Sequence, residues 1–173
     1  MALTVETGTG SATADAFISL ADADTYHTNH GNSTWTGTDE LKEQAIRRAT
    51  AYLSNSVDWV GARANLRSQA LAWPRSSTYD CDGTLILTTE IPIEVVNAAA
   101  ELALREIVTP GSLTPDVTLT ERVKMEKIGD LQTTYADTPI SADSSKPIIS
   151  MVEDMIACFV VGGGGETVFV NRA

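Results

Sequence analysis

The chain has 173 residues, 43% of them hydrophobic, which is enough for one core with appendages and too little for two full domains. Twelve Lys and Arg stand against 23 Asp and Glu, a formal charge of -11 spread over both halves, which argues against a surface built to neutralise phosphates; the closest approach to a basic cluster is Arg47, Arg48, Arg63, Arg67 and Arg75. No apolar run approaches the ~18 residues of a membrane span, the N-terminus has neither a basic start nor an apolar h-region, and Cys81 and Cys158 form no paired framework, so a soluble, reduced, intracellular protein is expected.

Residues 1–17, rich in Thr, Gly, Ser and Ala, read as an extended N-terminal arm. Ser19 with Asp22 three positions on makes a capping-box pattern, and Leu20, Ala23 and Tyr26-His27 follow at helical spacing, predicting a helix over about 19–29 that His30-Gly31-Asn32-Ser33 stops. After a loop holding Trp35, Thr38 caps a second helix whose first turn carries Asp39 and Glu40, where the helix dipole favours acids. Leu41, Ala45, Ala49 and Leu53 form its apolar stripe, and it ends near Asn55. A less regular stretch through Trp59-Val60-Gly61 leads to a candidate short helix over 62–70, ended by Pro74.

In Trp73-Pro74-Arg75 a large aromatic anchor precedes a residue with fixed φ and no N–H, and a guanidinium held just outside the anchor follows: a structural staple with no catalytic grammar. Asp82-Gly83 reads as a tight turn. Ile91-Pro92 opens the strongest helix, in which Val95, Val96, Ala98, Ala99, Leu102, Ala103, Ile107 and Val108 cover most of the circumference and Glu94, Asn97, Glu101 and Arg105 make a narrow polar stripe. Such a helix is buried in the core or against a neighbouring subunit; Thr109-Pro110-Gly111 ends it.

From Val117 to Tyr135 the periodicity becomes two, with Val123, Met125, Ile128, Leu131 and Tyr135 among the residues of a hairpin at about 117–136 that turns at Gly129-Asp130. A last helix of about three turns runs from Ile148 to Phe159, and Gly162–Gly165 hinges a strand-like tail containing Val168, Phe169, Val170, Asn171 and Arg172, suited to adding a strand to another protein. These elements make a mainly α chain, a small bundle of about four helices with a β-hairpin and extended N- and C-terminal arms, divided into residues 1–17, 18–159 and 160–173.

Candidate chemistry is thin. His27 and His30 lie i, i+3 with Asp22 and Asp24 nearby, but the chain holds no other histidine and nothing in the sequence brings a tertiary ligand to them, so a solvated helix end is expected in place of a closed zinc site of about four ligands. Asp80-Cys81-Asp82-Gly83 sits in a register that places Thr78 and Thr89 where a calcium loop needs Asp and Glu. Gly162–Gly165 lacks the Lys-Ser/Thr and the helix start of a phosphate cradle, and no Gly-x-Ser-x-Gly elbow occurs. No enzyme, cofactor or metal is expected.

In order, Ser19–Tyr26, Trp35, Ala45–Thr50, Trp59–Arg63, Gln69–Arg75, Ile91-Pro92, Glu101–Leu104 and Lys127–Leu131 leading to Tyr135 resemble the small head-to-tail adaptor (connector, or head-completion) proteins of tailed bacteriophages. Sequences of this look are also described as DnaT-like single-stranded-DNA-binding proteins, which the charge does not favour. The adaptor resemblance implies a ring of subunits, typically twelve, in the virion neck and assembled in the bacterial cytoplasm. It implies a tail docked on the portal protein, a face for the next neck or tail-completion protein, and a lumen that passes DNA without specific binding. Residues 168–172 would then be the portal-docking element and the hairpin a subunit contact; the alternative is a single-stranded-DNA-binding replication accessory protein.

Overall fold

A computed structural model describes residues 2–115, 125–128, 131–134 and 149–162. Four helices carry the fold: α1 (Leu20–Asn29), α2 (Asp39–Ser56), α3 (Ile93–Val108) and α4 (Ser150–Ile156), the last continued by a 3-10 turn at Ala157–Phe159. Two short antiparallel ladders accompany them, β1 (Ala62–Arg63) with β2 (Arg75–Ser76), and β3 (Met125–Ile128) with β4 (Leu131–Thr134). The second holds the paired strands of the expected hairpin, with Ile128 opposite Leu131; the expected turn at Gly129-Asp130 lies outside the described residues.

The helix starts follow from their caps. Ser19 Oγ accepts the Asp22 N–H at 3.1 Å and donates to the Asp22 carboxylate at 2.5 Å, and Thr38 Oγ1 accepts the Leu41 N–H at 3.4 Å. These bonds satisfy N–H groups that a first helical turn otherwise leaves without partners. Pro92 sits one residue before α3, as its N-cap.

The central packing is α2 on α3, with α4 against α3 and α1 leaning on both. α2 buries Ala45, Ile46, Ala49, Thr50 and Leu53; α3 buries Val95, Ala98, Ala99, Ala100, Leu102, Ala103 and Glu106. Alanine at these positions lets helix axes approach closely, and the longer Ile46, Leu53 and Leu102 fill what remains. The chain's own elements thus cover most of α3, and its large exposed apolar residues, Ile93 and Val108, lie at its two ends.

Three expectations are corrected. Residues 62–70 hold β1 and a 3-10 turn at Leu66–Ser68 instead of a helix, because β2 returns to pair with β1 and pulls the segment open. The stretch 2–17 is packed: Val5 and Ala16 bridge in parallel, and Ala14, Ala16 and Phe17 are buried. Buried Glu6 holds this loop by accepting the N–H groups of Gly8, Gly10 and Ser11 at 3.0, 3.0 and 2.7 Å. Cys81 and Cys158, expected as reduced thiols, form a disulfide, since the fold brings their Cα atoms to 5.3 Å.

Candidate functional site

The staple is built around a buried indole. Trp73 is fully buried between Trp59 and Phe159, with both ring centroids 5.7 Å away and both rings edge-on at 86° and 82°. The Trp73–Pro74 peptide is cis, and Gln69 Nε2 donates to the carbonyls of Leu71 and Pro74 at 2.9 and 3.0 Å, closing the loop on itself. Trp59 is pinned to the end of α2 by its Nε1 donating to the Leu53 carbonyl at 2.8 Å.

Arg75 does not stand outside the anchor as expected. Its guanidinium folds inward and donates to four carbonyls: Val60 from Nε at 2.7 Å, Ala72 from Nη1 at 3.1 Å, and Trp59 and Gly61 from Nη2 at 3.2 and 2.7 Å. Burial, and after it the like charge of Arg63, lowers its pKa. An open groove of about 540 Å³ lies over this guanidinium, lined by Ser54, Asn55, Asp58, Trp59, Arg63 and Arg75 among others.

From the staple the chain runs into a second feature, a tight hairpin. Asp80 Oδ1 accepts the N–H groups of Asp82 and Thr84 at 3.0 and 2.7 Å, Gly83 takes φ +80°, and Tyr79 bridges to Leu85. This is the turn read from Asp82-Gly83. Thr78 and Ile86 face inward and are buried, whereas Tyr79, Leu85 and Leu87 are 53%, 54% and 60% exposed. The Cys81–Cys158 bond fastens the hairpin to the end of α4.

The two histidines part company. His27 is buried beneath Trp35, ring centroids 4.3 Å apart, and its Nδ1 lies 3.0 Å from Asn32 Nδ2; burial lowers its pKa, although Glu101 opposes this. His30 stacks on Tyr26 at 4.0 Å, at the surface. Asp24 accepts from Trp35 Nε1 at 2.6 Å and Lys42 Nζ at 2.7 Å; burial raises its pKa, but these partners outweigh it and the net shift is downward. Burial and then Glu101, whose carboxylate accepts from the Tyr26 hydroxyl at 2.9 Å, push the Tyr26 pKa up to about 12. All of these groups are held by one another within the fold.

The basic cluster seen in sequence is dispersed. Arg47 pairs with Asp15 at 2.7 Å and Glu43 at 3.7 Å, Arg48 with Glu106 at 2.6 Å, and Arg75 is buried. Of the expected contact residues, Met125, Ile128 and Leu131 stand on the β3–β4 ladder; Val123, Tyr135 and the tail Val168–Arg172 lie outside the described residues. The exposed Tyr79–Leu87 face and the carbonyl cage of Arg75 had no periodic or motif signal by which to be found.

No curated protein and no solved structure matches the chain. A family model described as "Putative DnaT-like ssDNA binding protein" matches residues 1–173, the whole sequence, and the chain belongs to that family.

Proposed function

We propose that this protein is non-enzymatic and works through protein–protein contacts, as a head-to-tail adaptor of a bacteriophage neck that assembles as a ring between the portal protein and the next neck component. The observation that carries a contact role is the hairpin face of Tyr79, Leu85 and Leu87, three large apolar side chains held in the open on a turn stapled by a disulfide. A rigid, exposed apolar face of this kind is the ordinary mark of a surface that meets another protein. The adaptor identity itself rests on the resemblance of residues 18–158 in motif order.

The second reading is a single-stranded-DNA-binding accessory protein, and the family description favours it. Non-specific binding of single strands relies on a cationic groove and on exposed rings where bases stack. Here Trp35, Trp59, Trp73, Phe17 and Phe159 are buried, although the Tyr79 ring is exposed, and Lys42, Arg47 and Arg48 are held by the chain's own acids, although Arg63 and Arg75 on one groove are not. These two facts weigh toward the contact role.

Two measurements separate the readings. Co-purification with the portal protein is expected for the full chain and lost on deleting residues 162–173, with Leu87→Glu weakening assembly into neck particles. A gel shift with single-stranded DNA that is tight and falls steeply with salt would sink the adaptor reading in favour of the second.

A further inference from the structure

We propose that the groove over β1 and β2 is a phosphate-binding site, in which Arg63 and Arg75 together receive the oxygens of one phosphate group. The two arginines are direct cross-strand partners in the β1–β2 ladder. Like charges in that relation oppose each other and weaken a ladder, and this ladder is only two residues long on each strand. The chain has nearly two acids for every base, and it gives Arg47 and Arg48 carboxylate partners. Between Arg63 and Arg75 it places none.

Asp58 lies on the same groove, yet neither guanidinium forms an ion pair with it, and Arg63 has no hydrogen-bonding or ionic partner among the described residues. Arg75 is held by carbonyl oxygens alone, which are neutral acceptors. A buried charge without a counter-charge is costly, and an anion in the groove offsets that cost.

The donor set suits phosphate. A guanidinium has five N–H donors; the four carbonyls of the cage leave Arg75 one in reserve, and Arg63 contributes its own fork. Ser54 and Asn55 add a hydroxyl and an amide to the lining. A carboxylate offers two oxygens in one plane and fits a single fork, whereas a tetrahedral phosphate offers oxygens to both arginines at once. The phosphate is either free or part of a nucleic-acid backbone, and the site chemistry is the same for both.

The test is calorimetric titration of the full chain at low ionic strength with inorganic phosphate and, separately, with an oligothymidylate. Arg75→Lys risks the fold through the lost carbonyl bonds, so the informative variant is Arg63→Gln, with exposed Arg105→Gln on α3 as control. Saturable phosphate binding, weakened about tenfold in Arg63→Gln and unchanged in Arg105→Gln, is the expected result. Oligothymidylate binding that phosphate competes away, with the same dependence on Arg63, identifies the nucleic-acid backbone as the source; phosphate binding alone identifies free phosphate. The proposal is overturned by the absence of saturable phosphate binding, or by phosphate binding indifferent to Arg63→Gln. Free-phosphate binding leaves the adaptor reading untouched, oligothymidylate binding through Arg63 counts toward the second reading, and portal co-purification tests the adaptor role separately.

Discussion

Arg48, exposed on α2, donates across 2.6 Å to Glu106, buried on α3, and the same carboxylate oxygen accepts the Gly111 N–H at 2.8 Å. One acid thus joins the two central helices and caps the turn that ends α3. Arg48→Met is expected to cost about 1–2 kcal/mol, because Glu106 stays buried while the exposed side of the pair lets water replace part of the lost bond. Glu106→Gln added to that variant should recover stability by removing the stranded charge. Urea midpoints of the two variants check this, and a double variant less stable than Arg48→Met would contradict it.

His27 should impose an acid-side loss of stability. Its folded pKa is lowered by burial, against Glu101 and Asp24, which raise it, while His30 lowers it further. The unfolded imidazole takes up its proton near pH 6.5, while the folded one waits for a lower pH. The contribution is therefore complete above about pH 6.5 and is lost as the pH falls through that value toward the folded pKa. Urea denaturation at about pH 7.5 and about pH 5.5 should show a larger difference for the native chain than for His27→Gln. Equal differences would remove His27 as the cause.

Trp73→Ala should destabilise by about 3–5 kcal/mol, since the side chain is fully buried between two aromatic edges. Trp73→Phe should cost clearly less, because the indole N–H has no hydrogen-bond partner among the described residues and only volume is lost. A loss below about 1 kcal/mol for the alanine variant would show that Trp73 is no anchor.

What was legible in the sequence was whatever is written locally. Ser19 and Thr38 declare their helices because a cap is a short-range bond, and Asp82-Gly83 declares its turn because few residue pairs suit that backbone. The four helices and the β3–β4 pairing follow from such signals. The inward fold of Arg75 was not legible, since its acceptors are main-chain carbonyls that every residue carries. Nor was the packing of residues 2–17, where a single acid, Glu6, organises a loop with no periodicity. The Tyr79–Leu87 face is set by alternation across one short turn, too brief to register as a strand.

The Cys81–Cys158 bond spans 77 residues of sequence, so the chain-entropy argument assigns it about 4 kcal/mol. Replacing both cysteines by alanine should lower the urea midpoint accordingly. The unreduced, denatured chain is expected to show no titratable thiol, and two after dithiothreitol. Two thiols before reduction would refute the bond.

Gly8, at φ +91°, lies so close to the chain before α3 that a Cβ there would run into the Thr89 carbonyl. Within the plainest stretch of the sequence, Thr-Gly-Thr-Gly-Ser-Ala, position 8 is therefore among the least free to vary. A library of substitutions at position 8 should return almost nothing but glycine, while partly covered helix positions such as Val96 accept several apolar replacements. Low complexity here records steric necessity, and a segment that looks dispensable sets the limits within which the rest of the chain can diversify.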